Sequence, residues 1–167
     1  MATAFHLLAD MPDDVLAGER DDPPPQKRKG LRMARFLLDT NICVHIRQKR
    51  PPEVLARFEK LHPGDAVLSL ITYGELLYGT QKSRQREVAL ARLADLVSLL
   101  PVLAMPLAVA DEHGRIRAAL EARGETIGGN DLWIAAHARP AGLTLVTNKE
   151  REFKRVPGLK IQNWTST

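Results

Sequence analysis

Short apolar runs, each followed by a helix-like segment, recur along this chain, and this alternation constrains the fold more than any other feature. Three of the runs lead to a carboxylate, at Asp39, Glu75 and Asp131. In an open parallel α/β sheet, the strand ends that lead into helices all lie along one edge, where ligands bind. Acids that are far apart in the sequence are therefore expected to meet in one cleft, as a metal site requires.

The periodicity of the apolar residues predicts alternating strands and helices. The predicted strands lie near residues 35–39, 66–71, 101–104, 143–147 and 159–162. The predicted helices lie near residues 40–48, 53–61, 73–82, 86–99, 107–123 and 131–139. Gly124 and Gly142 stand where helices are expected to stop. The pattern predicts an α/β fold with a mainly parallel sheet and helices on both of its faces.

Helix capping is the alternative explanation for each acid taken singly. Asp39 can serve as an N-cap, Thr72-Tyr-Gly-Glu75 has the form of a capping box, and Asn130-Asp131 can open a helix. Capping stabilises by about 1 kcal/mol per site. Two carboxylates about 5 Å apart repel by about 3 kcal/mol at an effective dielectric of about 20. If the acids converge, a cation or shared protons must offset this repulsion.

The composition is that of one ordinary domain, because 167 residues with 44% hydrophobic content can bury a core. No apolar stretch reaches the roughly 18 residues of a membrane span, and no signal-peptide pattern opens the chain, so a cytoplasmic protein is expected. Cys43 is the only cysteine, which excludes an intramolecular disulfide and a thiolate metal cluster. It is expected to be a small buried residue.

Charge and proline divide the chain into two parts. Residues 1–32 contain Pro23-Pro-Pro, five Lys or Arg and six Asp or Glu, and they are predicted to be an extended tail without a fold of its own. This leaves 19 of the 24 basic and 14 of the 20 acidic residues for residues 33–167, the predicted domain. A basic surface around an acidic cleft suits a polyanionic substrate.

The side chains at the predicted strand ends carry hard oxygen donors, which Mg²⁺ and Mn²⁺ prefer. Such a site can activate a water and stabilise the leaving oxygen in phosphodiester hydrolysis. Glu152 is the candidate for a fourth acidic ligand, and a solvated residue among basic neighbours is the equal alternative. Polar side chains that can support the acids follow two of the strands, at Thr40, Asn41, Thr147 and Asn148.

Four motifs in this chain closely resemble those of PIN-domain toxins of the VapC type. They are Phe36-Leu-Leu-Asp39-Thr-Asn-Ile-Cys, Thr72-Tyr-Gly-Glu75-Leu-Leu-Tyr-Gly, Ile127-Gly-Gly-Asn-Asp131-Leu-Trp-Ile-Ala-Ala-His-Ala and Leu145-Val-Thr-Asn148-Lys-Glu-Arg-Glu-Phe-Lys-Arg-Val-Pro-Gly-Leu. The resemblance covers residues 33–164. It implies a five-stranded parallel sheet and a Mg²⁺- or Mn²⁺-dependent endoribonuclease, the toxin of a type II toxin–antitoxin system.

The same resemblance implies the substrate, the partners and the site residues. The substrate would be structured RNA, often tRNA, and its cleavage would inhibit translation. The partners would be a second copy of the chain in a homodimer and a VapB-type antitoxin. The catalytic and metal-binding positions carry over to Asp39, Glu75 and Asp131, while Asn148 stands where some relatives have a further acid.

The tail resembles a different protein, because Asp21-Asp-Pro-Pro-Pro-Gln-Lys-Arg-Lys-Gly-Leu31 is similar to the C-terminal end of a VapB antitoxin. The hypothesis is that this segment inhibits the enzyme, with Lys27 or Arg28 facing the carboxylates. The alternative is a tail without a role. Only about six residues, a reach of about 20 Å, separate Arg28 from the first strand, so the site of a dimer partner is the favoured target.

Two other functions compete with the nuclease. Phosphatases of the haloacid-dehalogenase type also begin with an aspartate after the first strand, but they need a second acid two residues later, where this chain has Asn41. A catalytically inactive module that binds RNA or antitoxin is the second alternative. The presence of all three acids argues against it.

Overall fold

The computed structural model describes residues 34–165. The prediction of an extended tail over residues 1–32, with its inhibitory roles for Lys27 and Arg28, lies outside the described residues. The domain boundary predicted at Met33 lies outside them as well.

Five parallel strands form one sheet in the order β3-β2-β1-β4-β5. They are β1 (Phe36–Leu38), β2 (Ala66–Ser69), β3 (Val102–Leu103), β4 (Thr144–Val146) and β5 (Lys160–Gln162). The predicted parallel sheet is confirmed. The chain builds outward from β1 through β2 to β3 and then returns to the other side of β1 with β4. Ligands of open α/β sheets bind at such a reversal, outside the carboxyl ends of the strands.

Helices connect the strands and cover both faces of the sheet. Within residues 34–165 they are α1 (Thr40–Gln48), α2 (Pro52–Glu59), α3 (Leu70–Gln81), α4 (Arg86–Leu99), α5 (Ala108–Glu121), α6 (Gly129–Ala138) and α7 (Glu150–Phe153). The first six match the predicted helices, whereas α7 was not predicted because one turn is too short to show a periodicity. None of these helices has the length and apolar character that crossing a bilayer demands.

Two apolar cores hold the helices against the sheet, one on each face. Phe36 and Leu38 of β1 pack into the first core, and Leu37 between them packs into the second. Strands that are buried on both faces are uninterrupted apolar runs in the sequence, which is why they could be predicted. Cys43 is fully buried in the first core, as expected, and burial raises the pKa of its thiol.

Helix α3 begins at Leu70, earlier than predicted, and β2 correspondingly ends at Ser69. The N-cap is Ser69, whose Oγ accepts a hydrogen bond from the backbone N–H of Thr72 at 2.9 Å. The hydroxyl of Thr72 donates to the Leu38 carbonyl at 3.4 Å and so ties α3 to β1. The capping box considered as the alternative explanation for Glu75 is therefore wrong, because Thr72 already lies inside the helix. Glu75 is in the second turn and is not needed for capping.

The position of this cap can be tested by its effect on stability. We expect Ser69→Ala to lower the free energy of unfolding by about 1–2 kcal/mol, because the buried N–H of Thr72 loses its acceptor. Urea denaturation of the full chain measures the change. Ser98→Ala, at an exposed position of α4, is the matched control and should change stability by less than about 0.5 kcal/mol. A loss of stability for Glu75→Gln with no loss for Ser69→Ala would contradict the Ser69 cap and support a capping box formed by Thr72 and Glu75.

Candidate active site

Asp39 lies at the centre of the reversal, directly after β1, and only 1% of it is exposed. Its carboxylate caps α1 by accepting the backbone N–H of Thr40 at 2.7 Å. Thr147 follows β4, and its hydroxyl donates to Asp39 Oδ2 at 2.8 Å. These two residues meet because Leu38 and Val146, which precede them, are paired in the sheet. Both the strand register and the helix start therefore position Asp39.

Burial raises the pKa of Asp39 above its ordinary value of 3.8. The Thr147 hydrogen bond, the charge of Lys149 and the Thr40 N–H all act in the opposite direction, and the charge of Asp131 raises the pKa further. The net shift is upward. Thr147 contacts Asp39, and Lys149, two residues later, contacts Asp131, so the two aspartates face one site although they are far apart in the sequence.

Asp131 lies in the first turn of α6 and is 7% exposed. The helix begins at Gly129, slightly before the predicted Asn130-Asp131 start, and Gly128 is its N-cap. A Cβ atom at Gly128 would lie 3.0 Å from Asp131 Oδ2, so the glycine leaves room for the carboxylate. The ammonium of Lys149 contacts both carboxylate oxygens, Oδ1 at 2.8 Å and Oδ2 at 3.1 Å.

Glu75 joins the two aspartates through their neighbours in sequence. Its Oε1 accepts a hydrogen bond from Asn130 Nδ2 at 2.8 Å, and its Oε2 accepts one from the hydroxyl of Thr40. Asn130 precedes Asp131, and Thr40 follows Asp39. The structure thus brings all three predicted acids to one edge of the sheet, with a half-buried glutamate between two buried aspartates.

Lys149 is the residue of this site that was not predicted. Burial alone lowers the pKa of its ammonium, but the hydrogen bond to Asp131 and the charges of Asp39, Asp131 and Glu152 together raise the pKa of Lys149 above its usual value. A lysine placed two residues after the strand-end Thr147 was the only sequence signal for this role. That signal does not distinguish Lys149 from a solvated lysine of the same basic segment.

The other predicted residues lie around this centre. Asn41 Nδ2 donates to Asn148 Oδ1 at 3.1 Å and so links the start of α1 to the end of β4. Glu152 is half-buried on α7 and acts electrostatically on Lys149, but its role as a metal ligand stays a prediction. Glu150, the other acid of α7 and not a predicted ligand, pairs with Lys154 and accepts a hydrogen bond from Asn163.

The donor set suits a hard divalent cation, since every group that faces the site from the three acids and from Thr40 and Thr147 is an oxygen. Within residues 34–165, however, no three His, Cys, Asp or Glu side chains are already grouped as a metal would need. The ammonium of Lys149 occupies both oxygens of Asp131 instead. The residues therefore fit such an ion by their chemistry, provided that Lys149 leaves Asp131.

An open parallel sheet with polar groups at its reversal point defines a class of α/β proteins that bind their ligands at the carboxyl ends of the strands. The model of the PIN domain family matches residues 36–159. A ribonuclease VapC2 of Haemophilus influenzae is 43% identical over 79% of this chain and 99% of its own length. A protein of Shigella flexneri named tRNA(fMet)-specific endonuclease VapC is 43% identical over 80% of this chain and all of its own.

Solved structures agree with these similarities. The DNA-bound VapBC complex of Salmonella typhimurium contains a chain that is 40% identical, with a TM-score of 0.75 over 79% of this chain and 99% of that one. The chain therefore belongs to the PIN domain family, among the VapC ribonucleases.

The raised pKa of Asp39 predicts how pH affects stability when no metal is bound. Folding disfavours the ionised carboxylate, so the contribution of Asp39 is fully present below pH 3.8 and is lost as pH rises through the raised pKa. Asn caps a helix as well as Asp does. We therefore expect Asp39→Asn to unfold at a higher temperature than the wild type at pH 7 in EDTA.

Thermal unfolding of the full chain over a range of pH measures this difference. The advantage of Asp39→Asn should shrink as the pH falls towards and below 3.8, because the wild-type carboxyl then becomes protonated in both the folded and the unfolded state. A variant less stable than the wild type at pH 7 would contradict the electrostatic strain assigned to Asp39.

Proposed function

We propose that this protein is the toxin of a type II toxin–antitoxin system and a divalent-metal-dependent endoribonuclease that hydrolyses phosphodiester bonds in tRNA. The observation that carries the proposal is the convergence of Asp39, Glu75 and Asp131 at the reversal between β1 and β4. Mutual repulsion would make this arrangement unfavourable in a purely structural site. A cation-binding function gives the convergence a reason.

The chain's own residues prepare the site for such chemistry. Asp39, Glu75 and Asp131 would hold Mg²⁺ or Mn²⁺, with Glu152 as the candidate fourth acid. Bound there, the ion would activate a water and stabilise the leaving oxygen. Hydrogen bonds from Thr147 and Thr40 hold Asp39 in place before any ligand arrives.

Residues at the border of the site are suited to holding RNA. The amides of Asn41 and Asn148 lie at the exposed edge, where they can donate to phosphate oxygens. The basic surplus of the chain favours the approach of a polyanion. These features support a nucleic-acid substrate, held by its backbone and cut in the acidic cleft.

Relatives support the choice of tRNA and of a protein partner. The Shigella flexneri relative carries tRNA(fMet) in its name, and the Salmonella typhimurium structure is a VapBC complex. By this similarity we propose tRNA as the substrate class and a VapB-type antitoxin as partner. The homodimer and the cytoplasmic location stay predictions from the sequence.

One observation favours a second function, that of a non-catalytic module that binds RNA or antitoxin. Lys149 neutralises Asp131 in the described structure, as a permanent ion pair would in a site without a metal. The two functions differ in their need for metal. An inactive module would bind RNA equally well in EDTA and in Mg²⁺, and it would leave the RNA intact.

Removal of a single site acid tests the nuclease. We expect Asp39→Asn, Glu75→Gln and Asp131→Asn each to reduce the rate of tRNA cleavage by more than about 100-fold, since loss of even a supporting group around a metal costs 10- to 100-fold. The assay uses the full chain with total tRNA in Mg²⁺ and in EDTA. The control is Glu150→Gln, whose carboxylate pairs with Lys154 instead. Cleavage retained by both aspartate variants would contradict the assigned site.

The inhibitory role of residues 1–32 is a separate proposal, based on their resemblance to an antitoxin. We expect deletion of these residues, or Lys27→Ala combined with Arg28→Ala, to increase the rate of tRNA cleavage because the acids lose a basic competitor. The same Mg²⁺-dependent assay measures the rate beside the full chain. Equal rates for all three proteins would show that the tail does not inhibit.

A further inference from the structure

A cation supplied by the chain itself already lies in the acidic cluster of Asp39, Glu75 and Asp131. The ammonium of Lys149 contacts both oxygens of Asp131, at 2.8 and 3.1 Å, and its charge also interacts with Asp39. The Asp131 side chain is 10% exposed and the Lys149 side chain 34%, so this ion pair is partly shielded from solvent. Solvent and salt therefore screen its attraction less than that of a fully exposed pair.

The backbone around Lys149 is held by the same side chain that positions Asp39. Thr147 Oγ1 accepts the backbone N–H of Lys149 at 3.0 Å and donates to Asp39 Oδ2 at 2.8 Å. The Asn41–Asn148 hydrogen bond fixes the intervening residue. The backbone of Lys149 is therefore held in place by the same strand end that positions Asp39.

The backbone of the α6 N-cap runs close to the Asp131 carboxylate, since a Cβ built on Gly128 would lie 3.0 Å from Oδ2. Lys149 contacts both oxygens of the same carboxylate. A divalent cation that binds either oxygen would therefore lie beside the ammonium and be repelled by its charge.

We propose that Lys149 is the resident counter-ion of the acidic cluster and that a divalent cation must displace it from Asp131 to bind. The inference rests on the proposed metal-dependent function and deepens it. Lys149 stabilises the metal-free fold by neutralising the acids, and the same contact weakens metal binding. Metal affinity and metal-free stability are thus coupled through one side chain.

The direct test is calorimetric titration of the full chain with Mn²⁺ at low ionic strength. Lys149→Met keeps most of the aliphatic stem and removes the charge, and Lys149→Gln provides a second neutral variant. Both are expected to bind Mn²⁺ about tenfold more tightly than the wild type, because one competing positive charge is gone. Lys149→Arg keeps the charge and should bind no more tightly than the wild type.

Lys154→Met is the matched control, since this nearby lysine pairs with Glu150 on the exposed side of α7 and should leave the Mn²⁺ affinity unchanged. Thermal unfolding adds an independent readout. In EDTA the neutral Lys149 variants should unfold at a lower temperature than the wild type, and Mn²⁺ should raise their unfolding temperature by a larger amount.

Unchanged or weaker Mn²⁺ binding by both neutral variants would overturn the proposal, as would a complete lack of Mn²⁺ binding by all variants. The outcome is separate from that of the tRNA assay. If Lys149→Met binds Mn²⁺ more tightly but the wild type cuts no RNA, the counter-ion proposal stands and the proposed nuclease function is wrong. Metal-dependent cleavage with unchanged affinity would refute the counter-ion alone.

Discussion

The repulsion among carboxylates gathered at one edge of a parallel sheet is the constraint on which this structure depends. Asp39 and Asp131 are both nearly buried, and the charge of Asp131 adds to burial in raising the pKa of Asp39. Three contacts offset this repulsion. The hydroxyl of Thr147 and the backbone N–H at the start of α1 donate to Asp39, and the ammonium of Lys149 pairs with Asp131. A divalent cation carries twice the charge of the Lys149 ammonium and would offset the repulsion among these acids more fully.

The sheet topology determines which residues take part. Strand β1 is central, and its neighbours β2 and β4 are added on opposite sides, so their carboxyl ends open into one crevice. Asp39 and Thr147 lie side by side there because β1 and β4 are in register. Helices α3 and α6 then bring Glu75 and Asp131 across the same crevice, where Asn130 and Thr40 connect them. The positions of these groups thus follow from the pairing of the strands and from the residue at which each helix begins.

Much of this arrangement could be predicted from the sequence because it depends on patterns with a short range. Buried parallel strands are apolar runs in the sequence, so the sheet could be predicted. Acids that follow such runs are expected at one edge of the sheet, so the meeting of Asp39, Glu75 and Asp131 could be predicted as well. The first residue of α3 could not be predicted, because Ser69 and Thr72 are both good N-cap residues and only tertiary contacts select Ser69. Lys149 was missed for a similar reason, since a lysine in a basic segment has no feature that distinguishes an internal counter-ion from a solvated side chain.

Anomalous diffraction from crystals of the full chain grown with Mn²⁺ would test the central claim most directly. The claim is that the three acids form a cation site and that Lys149 competes with the cation for Asp131. We predict one strong peak in contact with Asp39 and Asp131, with the ammonium of Lys149 moved away from the Asp131 carboxylate. A map without a peak at these acids, with Lys149 still bound to Asp131, would contradict it.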